Sequence, residues 1–148
     1  MRELVFALEF RGRGVPVPGS DGKREARSVA PSQTLSTVLA SDGVRSRIDT
    51  GIGDTAVLEA RVQRFADGSF VEEGTIAYGM AGAISFETIG RGWVAPAPET
   101  GAMAGGVLWK IIGGSGVFTD AQGLITSNFT VSAGGDVVDN HFARIYLP

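Results

Sequence analysis

Six ionisable side chains stand within stretches of alternating apolar residues, the pattern in which strands would build a small-molecule site. These candidate catalytic residues are Glu59, Arg61, Glu72, Tyr78, Glu87 and His141. Carboxylates, a phenol and an imidazole can transfer protons, and a guanidinium can orient an anion. Because an unpaired charge is costly to bury, such residues either face solvent or serve chemistry. The direction in which each one points therefore decides its role.

Glu59 and Arg61 share one face of a predicted strand whose other face carries Ala56, Leu58 and Ala60. If the polar face points outward, the two residues form an ordinary solvated ion pair. If it points into a cavity, they form a paired acid and cation that could polarise a ligand. Parity alone leaves both interpretations open.

Glu72 and Tyr78 have the same parity as Phe70 and Ile76 on the next predicted strand. A carboxyl group buried among such residues has a raised pKa and can exchange protons with a ligand near neutral pH. Phe70 lies on the same face and is a candidate substrate-binding residue.

His141 is the only histidine, and it shares parity with Ala143 and Ile145. A metal site built on histidine needs further ligands, and Asp136 and Asp139 are the nearby carboxylates, both beside a predicted turn. We therefore expect no metal. His141 is either a general acid or base or a partly buried packing residue.

Trp109 shares a strand face with Met103, and Glu87 shares another with Ile89. Both faces are predicted to belong to the core or to line a cavity. An aromatic side chain at the mouth of such a cavity commonly forms one wall for an apolar ligand. Trp109 and Met103 are accordingly candidate substrate-binding residues.

Composition places these residues in one domain of 148 residues with a net charge of −3 and no cysteine. A negative charge argues against nucleic acid, whose affinity depends on clustered Lys and Arg. The absence of cysteine excludes disulfides and thiolate metal sites. Residues 1–10 are too short and too acidic for a signal sequence, and no apolar run would cross a membrane. We expect a cytoplasmic protein.

Period-2 alternation between glycine-rich turns predicts about eight strands and no helix. A hairpin is predicted around 66–69, and a long mobile loop at 11–27, which contains several Gly and Pro residues. The predicted strands cover 3–10, 32–39, 56–63, 70–80, 83–89, 103–112, 124–131 and 137–147.

The glycine cluster 113–116 lacks the Lys-Ser or Lys-Thr pair of a phosphate-binding loop, and no helix is predicted after it. Ser115 also lacks the second glycine of a nucleophile elbow, because Val117 stands there. The cluster is therefore predicted to be a structural turn.

Residues 113–123, Gly-Gly-Ser-Gly-Val-Phe-Thr-Asp-Ala-Gln-Gly, precede a Thr- and Ser-rich strand, a Gly-Gly-Asp turn and a final strand. This string resembles the glycine-rich element of the allene oxide cyclase and dirigent superfamily, whose calycin-like barrels have eight antiparallel strands. The resemblance covers residues 70–147, and the 11–27 loop has no counterpart in it. It implies an all-β, antiparallel closed β-barrel, and cyclase or isomerase chemistry without a cofactor.

We therefore expect a cofactor-independent cyclase or isomerase that acts on a small, largely apolar molecule inside the barrel. The alternatives are a non-catalytic carrier of a lipophilic ligand and an oligomeric structural module with a filled interior. The resemblance and the apolar outer strand faces together predict a homodimer or homotrimer.

Overall fold

The computed structural model describes all 148 residues, which form nine antiparallel strands and two single-turn 3-10 helices. The strands are β1 (Arg2–Pro16), β2 (Lys23–Ala40), β3 (Gly43–Arg64), β4 (Ser69–Tyr78), β5 (Ala83–Thr88), β6 (Gly92–Pro96), β7 (Met103–Gly114), β8 (Gln122–Val131) and β9 (Asp136–Leu147). The 3-10 helices are Gly79–Ala81 and Gly116–Phe118. Neither is long and apolar enough to cross a membrane. The prediction of an all-β antiparallel chain is confirmed.

Hydrogen bonds run through eight of the strands as a ring, in the order β3, β2, β1, β9, β8, β7, β5, β4 and back to β3. The short strand β6 stands outside this order and pairs with β4 and β7 at one end. Each strand of the ring thus has a partner on both sides along part of its length, although residues 2–10 of β1 pair only with β9.

Alternation along each strand selects the residues that face the inside of the ring. Even-numbered residues face inward on β1 to β5, and odd-numbered residues face inward on β7 to β9, as their burial shows. One continuous apolar core results, and its fully buried side chains include Phe10, Ile76, Phe86, Ile125 and Ile145. The two faces of each strand therefore separate core from solvent, as the period of two requires.

The predicted loop at 11–27 is mostly strand. Residues 11–16 of β1 pair in register with residues 24–29 of β2, so that only residues 17–22 connect the two strands. Gly19 and Gly22 belong to that connection and have positive φ, but Gly12 and Gly14 lie within β1. Gly12 lies where the backbones approach closely, because a Cβ at this position would collide with the carbonyl oxygen of Arg27.

Two other regions test the predicted turns. The hairpin turn around 66–69 is confirmed, and there Asp67 accepts hydrogen bonds from the backbone N–H and the hydroxyl of Ser69. These bonds hold the pKa of the Asp67 carboxyl below its ordinary value. The segment around Trp93, predicted as loop, is strand β6.

The outer halves of β2 and β3 extend beyond the ring as a two-stranded arm, residues 33–50. Gln33 pairs with Thr50, and the pairing continues to Ala40 and Gly43 at the tip. No third strand pairs with this arm. An isolated hairpin of this kind has little stability of its own in water.

Candidate functional site

A small cavity opens at the end of the ring where β1 ends and β2 begins. Its volume is about 60 Å³. A water molecule needs roughly 10–15 Å³ by this measure, so the cavity holds a group the size of a few water molecules. Its polar lining includes Glu72, Ser127 and Asp139, its apolar lining includes Phe70 and Phe129, and four arginines surround it.

Glu72 is positioned by its neighbours on both sides of β4. It lies opposite Val62 of β3, and its backbone N–H and carbonyl both bond to the hydroxyl of Thr88 at 2.8 Å. Trp109 of β7, which pairs with Thr88 of β5, donates its indole N–H to Glu72 Oε1 at 3.0 Å. These contacts fix the carboxyl group at the cavity wall.

Burial raises the pKa of Glu72 to about 8, and the negative charge of Asp139 adds to the increase. The hydrogen bond from Trp109 opposes it, because it favours the ionised form. Although part of the Glu72 surface remains accessible, the enclosed surroundings dominate. At neutral pH this side chain is therefore mostly a protonated acid.

Asp139 and His141 stand two residues apart on β9 and face inward together. The carboxylate of Asp139 accepts a hydrogen bond from the Ser127 hydroxyl at 2.6 Å, and its other oxygen lies 2.9 Å from His141 Nε2. All three side chains are buried, and His141 Nδ1 has no hydrogen-bond partner within the chain. Asp139 lines the cavity, whereas His141 lies behind it.

Aromatic rings hold this polar group in place. Trp109 stacks on Phe86 with 4.0 Å between ring centroids, and its edge meets the His141 ring at 5.0 Å. Phe10 also packs against His141, with 4.4 Å between the ring centroids. The imidazole therefore has little freedom to turn away from Asp139.

Of the predicted catalytic residues, the structure brings Glu72 and His141 to this group. Tyr78 also faces inward, but it lies at the opposite end of the ring, against Phe6 and Phe118. Burial raises the pKa of the Tyr78 phenol, which stays neutral. Tyr78 lines a separate small pocket with Asp54 and is not part of the site.

Glu59, Arg61 and Glu87 point outward and are exposed or half-exposed. Each belongs to a surface ion pair: Glu59 with Arg27, Arg61 with Glu73, and Glu87 with Lys110. Glu59 and Arg61 are solvated, as one interpretation predicted, but they pair with Arg27 and Glu73 rather than with each other. The prediction that Glu87 lies on an inward face is wrong, because the larger Ile84 and Phe86 on the other face of β5 are buried in the core.

The structure brings two of the three predicted substrate-binding residues to the cavity. Phe70 lines the cavity, and Trp109 reaches it through its bond to Glu72. Met103 begins β7, opposite Val131, and does not line it. No three His, Asp or Glu side chains lie close enough together to hold a metal ion.

Sequence reasoning missed Asp139 and Ser127 as site residues. Asp139 has the parity of His141, and this signal was available, but its closeness to the turn before β9 favoured an exposed position. Ser127 carries no signal of its own in a strand rich in Ser and Thr.

Comparison of the chain with protein-family models, with curated proteins and with solved structures finds no match. The resemblance to allene oxide cyclases and dirigent proteins therefore stays a prediction, and the function has to be inferred from the site itself.

Proposed function

We propose that the eight-stranded ring is a closed β-barrel, and that the protein is a cofactor-independent isomerase or cyclase for a small, largely apolar substrate. The reacting part of the substrate would occupy the cavity beside Glu72 and Asp139. The observation that carries this proposal is that two carboxyl groups line one cavity while one of them keeps its proton near neutral pH. Such a pair supplies an acid and a base at the same place.

The reaction that fits this pair is a proton shift next to a carbonyl group. The Asp139 carboxylate takes a proton from the carbon beside the carbonyl, and Glu72 gives its proton to the carbonyl oxygen, which yields an enol. Asp139 then returns its proton to a different carbon of the conjugated system, and the Glu72 carboxylate recovers the hydroxyl proton. Both residues end as they began, so no cofactor or oxidant is consumed. In a cyclase, the enol carbon would instead attack a second carbonyl carbon of the same molecule, Asp139 would give its proton to the oxygen of that carbonyl group, and Glu72 would recover the hydroxyl proton.

His141, Ser127 and Trp109 serve as positioning residues in this scheme. Ser127 and His141 hold the two oxygens of Asp139, and Trp109 holds Glu72 Oε1. Fixed donors and acceptors of this kind need little reorganisation during proton transfer.

The size of the cavity limits the substrate. About 60 Å³ accommodates only the reacting end of a molecule, and the remainder would have to lie at the arginine-rich mouth. This limit counts against any large lipophilic ligand, since binding sites for small molecules usually bury most of their ligand. A carrier of a small ligand and a structural module remain the competing functions.

Proton exchange in D₂O tests the proposed chemistry directly. The protein is incubated with small unsaturated ketones and keto acids, and the loss of the protons beside the carbonyl is followed by NMR. We expect the native protein to catalyse this exchange. The exchange rate should fall about 100-fold or more in Glu72→Gln and Asp139→Asn.

Glu73→Gln is the matched control, because Glu73 is the next residue along β4 and points outward. It should exchange protons like the native protein. Binding without exchange would support a carrier, and neither binding nor exchange with any compound would leave the structural module.

A further inference from the structure

The mouth of the cavity carries a charge pattern that the proton-transfer chemistry does not use. Four arginines line it, and two of them have acidic partners: Arg13 pairs with Asp136, and Arg27 pairs with Glu59. The other two, Arg24 and Arg64, have no carboxylate within 4.0 Å. Seven of the 11 arginines form such ion pairs, so an arginine without a carboxylate partner is the less common case in this chain.

We propose that Arg24 and Arg64 bind the anionic group of the ligand, a carboxylate or a phosphate, while its carbon skeleton extends inward to Glu72. This inference rests on the proposed function and adds the substrate class, a small organic anion that carries a carbonyl group. Arginine suits the task because its planar fork binds such oxyanions through two parallel hydrogen bonds.

Strand register places these two arginines on the same inner face as the acid. Arg24 of β2 lies opposite Val62 of β3, which lies opposite Glu72 of β4. Arg64 stands two residues beyond Val62 and lies opposite Phe70. Two strand spacings separate the backbones of Arg24 and Glu72 by about 10 Å, a gap that a ligand of a few heavy atoms spans.

The positive charges of the two guanidinium groups also repel each other in the free protein. Burial lowers the pKa of Arg64, and the positive charge of Arg24 lowers it further. Arg24 has a hydrogen bond to the Gly14 carbonyl at 3.2 Å, but this neutral acceptor does not cancel its charge. An anion between the two groups would remove this repulsion.

The remaining charges are compatible with this orientation. Glu72 is mostly neutral near pH 7. Asp139 belongs to β9, which is separated from β2 by β1. The anionic end of the ligand would therefore lie on the β2–β3 side, and its reacting carbons would lie between Glu72 and Asp139.

Binding is tested with 4-oxopentanoate, its uncharged amide and hydroxyacetone phosphate. The indole N–H of Trp109 is the reporter, because it bonds to Glu72 inside the cavity. We expect at least one of the two anions to shift this resonance, and the amide to bind about tenfold more weakly or not at all. The stronger of the two anions identifies the group as carboxylate or phosphate.

Variants assign the effect to the two arginines. Arg24→Gln and Arg64→Gln should each weaken binding of the anion about tenfold and leave binding of the amide unchanged. The matched controls are Arg61→Gln and Arg45→Gln, which remove the same charge from exposed positions on β3 that do not line the cavity. They should bind like the native protein, and added salt should weaken anion binding in all of them.

Equal binding of anion and amide, or equal losses in the control variants, would overturn the inference. Exchange of protons in the anionic keto acid that Arg24→Gln and Arg64→Gln leave unchanged would overturn it while the proposed function stands. Anion binding that depends on Arg24 and Arg64 but brings no exchange would uphold the anion site and refute the proposed reaction.

Discussion

At the scale of single residues, Glu72 is the group whose state can be observed most directly. Its Oε1 accepts the Trp109 indole N–H, so ionisation of Glu72 must change the environment of that proton. We expect the Trp109 indole resonance to titrate with an apparent pKa of about 8. NMR of the indole N–H groups between pH 5 and pH 10 measures it.

The chain contains only one other tryptophan, Trp93, which is largely exposed and serves as an internal control. Its resonance should not follow the same titration, and Glu72→Gln should abolish the titration of Trp109. A Trp109 resonance that moves only near pH 4.5 would show that Glu72 is not effectively buried.

Glu72 also predicts how stability depends on pH. Its pKa is higher in the folded chain than in the unfolded chain, so the unfolded chain loses this proton first as the pH rises. The contribution of Glu72 is fully present below about pH 4.5 and is lost progressively up to about pH 8. Each tenfold change in proton affinity is worth about 1.4 kcal/mol, so the loss amounts to a few kcal/mol.

Denaturant unfolding at pH 5 and at pH 8 tests this prediction. The native chain should lose more stability between these pH values than Glu72→Gln, which cannot ionise. Glu73→Gln should behave like the native chain, because Glu73 is exposed on the outer face. Identical pH dependence in all three would contradict the prediction.

Parity grouped Glu72, Trp109 and His141 with apolar residues of their own strands, and most of those residues are buried in the structure. It failed for Glu87 because both faces of β5 contain apolar residues, and only packing decides that Ile84 and Phe86 are buried. It could not place Asp139 against His141, or Tyr78 at the opposite end of the ring, because these relations depend on register between distant strands.

At the scale of elements, the inner half of β3 and strands β4, β5, β7, β8 and β9 follow their alternation closely, whereas β6 and the glycine-rich β1–β2 connection do not. Glycine favours both turns and close approach of two backbones, and sequence alone does not separate these causes. Gly123 of β8 belongs to the second class. Its φ is +148°, and a Cβ there would collide with the carbonyl oxygen of Arg144.

Gly123→Val should therefore destabilise the protein by about 2–4 kcal/mol, through backbone strain and displacement of β9. Gly113→Val is the matched control, because Gly113 has an ordinary φ and open space where its Cβ would stand. Thermal unfolding compares the two variants. Equal melting temperatures would show that Gly123 has no special role.

At the scale of the whole molecule, the arm of residues 33–50 lies outside the ring, so the ring does not account for its role. Its charge-free face carries apolar side chains that are partly or largely exposed. They are Leu35, Leu39, Val44 and Ile48. Exposed apolar faces of this kind commonly mark contacts between proteins. The predicted homodimer or homotrimer would most simply use this face.

Shortening the arm separates its role in assembly from its role in folding. In the variant, Asn-Gly replaces residues 34–49 and joins Gln33 to Thr50 as a two-residue hairpin. These residues pair only with each other. Their removal should therefore change the free energy of unfolding of the ring by no more than about 1 kcal/mol, when the variant and the full chain are compared in the same oligomeric state. Light scattering should give two or three times 15.4 kDa for the full chain and a single-chain mass for the variant. A single-chain mass for both would contradict the predicted oligomer, and an unchanged multiple for both would place the contact on the ring instead.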